Sequence, residues 1–259
     1  MVTAKEPRAS EGNHWYTTEG LPMYTVESLS GAQRPTTMRD ARKKNLVPSV
    51  TTILNVAAKP GLVIWIQRQV LMSSLTLPRF DGEPENEFIA RIMDDSKEQG
   101  RKAADAGTDI HTSVQGFYEG IVMNKHKDHV QGCVTAIRDA YGEQPWVAER
   151  SFAHELGFGG KCDLHVPATD DHTGLVVDIK TKEFSDPSKV EAFEENLMQL
   201  AAYRVGLGMP NARCANVMVS RSAPGLAKVI EWPEADLKRG WLMFHHLLSF
   251  WVQKNEFKI

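Results

Sequence analysis

Two short runs decide the fold: Gly159-Gly160-Lys161-Cys162-Asp163 and Val176-Val177-Asp178-Ile179-Lys180. Each reads as a strand, and the turn-forming stretch Thr169-Asp170-Asp171-His172-Thr173-Gly174 lies between them. Paired antiparallel about the Asp170–Asp171 centre, the strands place Asp163 opposite Asp178, although a one-residue shift in the loop would change that register. Directly opposed Cβ atoms lie roughly 4.5–5.5 Å apart, and like charges there repel. A divalent cation shared by the two carboxylates offsets the repulsion, and oxygen ligands suit Mg²⁺ or Mn²⁺. Without the cation, loss of one aspartate is expected to stabilise the chain. Lys180 stands two residues beyond Asp178 and so shares its strand face. Two carboxylates, a hard cation and an ammonium group suit phosphodiester hydrolysis. The metal polarises the phosphate and acidifies a bound water, and the lysine holds that water and neutralises developing charge.

The acid-x-Lys triplet means little by itself, because the chain also contains Asp95-Ser96-Lys97, Asp236-Leu237-Lys238 and Glu256-Phe257-Lys258. Those three fall in helical or terminal segments, where residues two apart do not share a face. The Asp178 copy alone lies on an apolar strand facing a second aspartate.

Outward from this hairpin, strands are expected at 147–154, 159–167, 175–181, 214–221 and 228–232. A helix is expected over 187–207, and a last helix after Pro233 carries Trp241, Phe244, Leu248 and Trp251 on one face. Upstream, 46–145 is expected to be mainly helical, with helices at 61–75, 85–118 and 130–141. Residues 48–54 fit either a strand or a capped helix start. Residues 1–45 are polar and turn-rich, and an irregular arm with a short hairpin near 16–26 is expected. Arg39, Arg42, Lys43 and Lys44 form a basic cluster there, a candidate strip for phosphate contact. The order is helices first and then β-β-β-α-β-β-α, an α/β chain forming one compact domain with a catalytic core over 146–259.

Size and composition agree with that outline. The chain has 259 residues, 42% hydrophobic and 24% charged, with net charge −3. That charge excludes an overall polybasic coat but leaves room for a local basic groove. Three scattered cysteines without a C-x-x-C motif argue against a disulfide framework, a zinc knuckle or an iron–sulfur cluster. The opening MVTAKEPRASEGNHW lacks the apolar run of a secretory signal. A cytoplasmic protein is expected, in a host cell if viral, with the mitochondrion as the alternative.

The ordered set Gly160-x-x-Asp163, Asp178-x-Lys180 and Gln199-x-x-x-Tyr203, preceded by His111 in Gly107-Thr108-Asp109-Ile110-His111, resembles the PD-(D/E)XK nuclease superfamily in its RecB-type branch. Residues 48–54 and the helix holding Trp65 are similar to its mitochondrial genome maintenance and phage exonuclease groups. The resemblance implies a restriction-endonuclease-like core, a mixed sheet flanked by helices. It also implies Mg²⁺- or Mn²⁺-dependent hydrolysis of DNA at ends or in single strands, serving replication, repair or recombination. A structure-selective endonuclease on the same fold and a DNA-binding protein without catalysis are the alternatives. By the same resemblance Asp163, Asp178, Lys180 and His111 are catalytic. Metal contacts fall to Asp163, Asp178, His111, the Ile179 carbonyl and Glu149. The resemblance gives Gln199 and Tyr203 a contact to DNA, while position beyond the catalytic strand makes Thr181, and positive charge makes Arg42, Lys43, Lys44 and Arg101, further expected DNA contacts. Ala103, Ala104 and Gly107 are small enough to let the His111 helix approach a sheet closely. A replication or recombination protein is a further expected partner.

Overall fold

The computed structural model describes residues 14–121 and 125–258. Strand β1 (Trp15–Tyr16) is followed by β2 (Thr25–Glu27), β3 (Gln33–Pro35), helix α1 (Met38–Lys44), β4 (Val47–Pro48) and α2 (Val50–Leu54). β1 pairs with β4, and β2 with β3. From residue 14 onward the expected irregular arm is therefore packed structure, and residues 1–13 lie outside the described residues. The reason is aromatic burial: Trp15 is fully enclosed and its ring meets Trp251 and Phe257. The hairpin forms at β2–β3, later than expected, while Tyr16 pairs with Val47 of β4 and meets the expected stretch only through an isolated bridge to Pro22. Residues 48–54 contain both elements offered for them, a strand end and a helix capped by Ser49, whose hydroxyl accepts from the Thr52 N–H at 3.0 Å.

Helix α3 (Pro60–Thr76) leads into α4 (Glu85–Tyr118), 34 residues long, and then α5 (Lys127–Tyr141). The sheet follows as β5 (Val147–His154), β6 (Phe158–Val166), β7 (Leu175–Lys182), β8 (Arg213–Ser220) and β9 (Ala227–Trp232), in spatial order β5-β6-β7-β8-β9. All neighbours are antiparallel except β7 and β8, which run parallel. A parallel pair needs a crossover, and α6 (Glu194–Gly206) supplies it. The last element is α7 (Glu234–Lys254). The fold is thus mixed α/β, as expected.

Two hydrophobic clusters cover the two faces of the sheet. One joins α2, α6 and α7 to Phe152, Phe158, Cys162, Val176 and Cys214. The other joins Ile110 and Val114 of α4, and Cys133 and Ile137 of α5, to Leu164, Val177, Ile179 and Val217. All three cysteines are buried and free. Helix α6 is shorter than expected because residues 187–189 form a separate 3₁₀ turn and Val190 is extended. The helix begins only at Glu194, where the Asn196 side chain accepts from the Phe193 N–H at 2.9 Å.

Candidate active site

The register between β6 and β7 runs Val166↔Leu175, His165↔Val176, Leu164↔Val177. The next position faces Asp163 with Asp178, as the turn-centred pairing predicts. Here the ladder stops, and the Ile179 N–H donates to the Asp163 side-chain Oδ2 at 2.7 Å instead of to a backbone carbonyl. The neighbouring pair of strands breaks at the same level. β5 and β6 pair on both sides, Ala148↔Leu164 and Arg150↔Cys162, but Glu149 between them has φ +55°. That left-handed conformation is uncommon for a residue with a side chain and costs about 1–3 kcal/mol. Both strands change faces there. Phe152 and Cys162 join the α6 side of the core, whereas Leu164 joins the α4 side. Glu149, Asp163 and Asp178 therefore form one transverse row on three adjacent strands, in a place where regular pleating is interrupted.

Helix α4 brings His111 to this row. A Cβ at Gly107 would stand 2.6 Å from the Thr181 hydroxyl oxygen, so only glycine lets the helix lie this close to β7. One turn later, His111 Nε2 is 3.0 Å from Asp163 Oδ2. His111, Glu149 and Asp163 each offer a ligand atom, all within 4.8 Å of one another. Both Glu149 oxygens are buried and lack a well-directed hydrogen bond, although the Lys161 ammonium pairs with Oε2. Buried carboxylate oxygens without donors ask for a positive partner. One imidazole and two carboxylates form a donor set that fits Mn²⁺ or Mg²⁺, so the residues suit the implied cation.

Asp178 stands beside this trio rather than within it. It is 1% exposed, and both its oxygens are engaged. Oδ1 accepts from Lys180 Nζ at 2.8 Å, and Oδ2 accepts from Asn216 Nδ2 at 2.9 Å. Asn216 Oδ1 in turn accepts from Trp232 Nε1 at 2.8 Å. Burial pushes the Asp178 carboxyl up to about 6 even with Lys180 beside it. Burial also acts to raise Asp163, but His111, with Lys180 and the Ile179 N–H, outweighs it and holds that carboxyl below its ordinary value. Asp163 pushes the His111 imidazole up to about 9. The like-charge repulsion expected of the aspartate pair is thus offset by His111, Lys180, Asn216 and the Ile179 N–H. On this geometry each deletion would strand buried donors, so the opposite outcome, a less stable metal-free chain, is what we predict.

The remaining expected residues fall in different places. Ile179 contributes its N–H to Asp163, while its side chain sits in the α4–α5 cluster. Thr181, Lys180 and His111 line a cleft of about 420 Å³ between α4 and β7, together with Ala103, Ala104 and Gly107. Gln199 and Tyr203 are buried, with Gln199 Nε2 donating to the Tyr203 hydroxyl at 2.8 Å. The Tyr203 ring packs where Gly160 leaves space, so this pair supports the sheet from beneath and does not face an open surface. Arg42 donates to the Asn255 carbonyl at 2.5 Å and ties α1 to the end of α7. Lys43 and Lys44 are exposed on α1, and Arg101 is exposed and paired with Glu98 of its own helix. None of these four lines the cleft.

Sequence reasoning missed Asn216, Trp232, Lys161 and Arg221. Asn216 lies on a strand nearly forty residues past Asp178, and no motif marks it. The parallel register Asp178↔Asn216 is the signal, and it needs the sheet order to be known.

No protein-family model and no curated protein matches the chain. Among solved structures, one described as "Crystal structure of SSO0001" has 14% identity and a TM-score of 0.29, covering 53% of this chain and 84% of that one. A likeness this low carries no argument.

Among the described residues, no helix is long and apolar enough to cross a membrane.

Proposed function

We propose that the chain is a metal-dependent phosphodiesterase. More particularly, it is a DNA nuclease of the RecB-type PD-(D/E)XK kind, acting as an exonuclease on ends or single strands. The supporting observation is the convergence of His111, Glu149 and Asp163 within 4.8 Å, with Lys180 held on Asp178 alongside. His111, Glu149 and Asp163 would hold Mg²⁺ or Mn²⁺, which when bound supplies charge to neutralise the phosphate and lowers the pKa of a water. Asp178 fixes the ammonium of Lys180, which lines the cleft. Lys180 can donate to the attacking water or to a phosphate oxygen as negative charge grows there. Asn216 and Trp232 fix Asp178. The exonuclease preference rests on the family resemblance.

End-labelled single- and double-stranded DNA, incubated with Mg²⁺ or Mn²⁺ and with chelator as control, tests the proposal. Release of nucleotides from ends, abolished by chelator and by Asp163→Asn or Lys180→Ala, is the expected result. Cleavage of closed circular single-stranded DNA would replace the exonuclease with an endonuclease. Unchanged DNA with every metal would overturn the hydrolytic reading.

A further inference from the structure

The cleft has a second cationic wall that the chemistry above does not use. Arg221 follows the last residue of β8, and its N–H donates to the Lys182 carbonyl at 2.8 Å, which sets it beside the end of β7. Its side chain reaches α4, where Nη1 donates to the Ala103 carbonyl at 2.8 Å. Ala103 precedes His111 by eight residues on the same helix, which is about 12 Å along the axis. The fork is only partly satisfied. Nε is buried with no acceptor, and Nη2 meets Glu183 Oε1 only at 3.4 Å, with the Glu183 side chain 72% exposed. Arg221 nevertheless lines the cleft that holds His111, Lys180 and Thr181. A planar, permanently charged fork pinned at one nitrogen and loosely held at the other is well matched to a phosphate.

We propose that Arg221 is a second phosphate-binding residue, so that the cleft selects an extended nucleic-acid strand over a small phosphate ester. The Ala103 end, where Arg221 is anchored, and His111 stand about two helical turns apart along α4, so the two ends of the cleft would take different phosphates of one strand. A dinucleotide, with a single phosphodiester, cannot occupy both ends of the cleft. This inference rests on the nuclease reading for its substrate class, but its physical content is an anion site that is measurable without cleavage.

The experiment uses the full chain with a fluorescein-labelled deoxyhexanucleotide and a labelled deoxydinucleotide. Binding is followed by anisotropy with Ca²⁺ in place of Mg²⁺, and hydrolysis with Mg²⁺ or Mn²⁺. Arg221→Gln is expected to weaken hexanucleotide binding by about tenfold, the loss of one charge-assisted phosphate contact. It is also expected to raise KM for the hexanucleotide and so erase its advantage over the dinucleotide. Glu183→Gln, on an exposed side chain, frees Nη2 and is expected to strengthen hexanucleotide binding, an effect that disappears when Arg221→Gln is also present. A merely structural arginine would lower kcat for both lengths alike and leave the length preference intact, and that result overturns the proposal. So does a wild-type chain that binds no hexanucleotide, or a Glu183→Gln effect that survives in the double variant. If no DNA is cleaved but Arg221→Gln still weakens binding, the anion site stands and the nuclease reading falls. If DNA is cleaved and Arg221→Gln binds as wild type, the Arg221 assignment alone falls.

Discussion

Asn216 has only one orientation open to it. Trp232 Nε1 is a donor and nothing else, so the amide oxygen must face it, which leaves the amide nitrogen for Asp178. The tryptophan thereby ensures that Asn216 presents a donor to Asp178, whose other oxygen accepts from Lys180. Asn216→Ala strips partners from buried Asp178 and half-buried Trp232 at once and is expected to cost about 2–3 kcal/mol in urea unfolding. Trp232→Phe leaves only the amide oxygen unpaired and is expected to cost about 1–2 kcal/mol. DNA cleavage by Trp232→Phe should fall more than its stability does, since Asp178 and Lys180 lose their fixed orientation. For the aspartates themselves, Asp163→Ala and Asp178→Ala are each expected to lower the metal-free melting temperature, because His111, Lys180 and Asn216 lose a buried acceptor. Asp163 and Asp178 were legible in the sequence because one turn joins them and strand pairing is local there. Glu149 was legible as an acid on the right strand. Its positive φ was not, because it arises from the pairing of β5 with β6 and not from any preference of glutamate.

Among elements, α4 follows its sequence pattern, whereas α6 shows how capping overrides periodicity. The proline-free run 85–118 predicts one helix, and one helix forms. The run 187–207 carries helical period as well, but Asn196 caps the Phe193 N–H and defers the helix to Glu194. Arg204 ties α6 to the start of α7. It is 3% exposed, and Nη1 donates to Glu234 Oε2 at 2.7 Å. That guanidinium holds the Glu234 carboxyl below its ordinary value of 4.5. A depressed carboxyl gives stability that is complete above its unfolded value and is lost as pH falls through the folded one. Unfolding midpoints in urea should therefore drop on acidification below about pH 4.5, and Glu234→Gln should remove that part of the drop. Because Glu234 is half exposed, its share at neutral pH is no more than about 1 kcal/mol.

At the scale of the whole molecule, stability is unevenly spread. The sheet lies between two buried clusters, whereas α3 packs chiefly on α4 and leaves Leu62, Ile64, Leu71 and Leu75 exposed. Backbone amides exchange faster where few buried contacts must be broken to open them. In hydrogen-exchange mass spectrometry, peptides from α3 are expected to take up deuterium well before peptides from α6, and equal rates would contradict this division. The helix at 61–75 was legible from its pattern, but its exposure was not. An apolar run looks the same whether or not a neighbour covers it, and only the layering of elements decides.

Cys133, Cys162 and Cys214 are sealed in the two clusters, and burial pushes the thiols of Cys133 and Cys214 up to about 12 and that of Cys162 upward as well. Thiolate is the form that binds soft metals and reacts with oxidants. Among the described residues the native fold therefore offers such reagents no exposed thiol. A titration with a thiophilic ion such as Cd²⁺ would sense the oxygen and imidazole donors without competition from cysteine thiolates, and a thiol reductant has no exposed cysteine to protect.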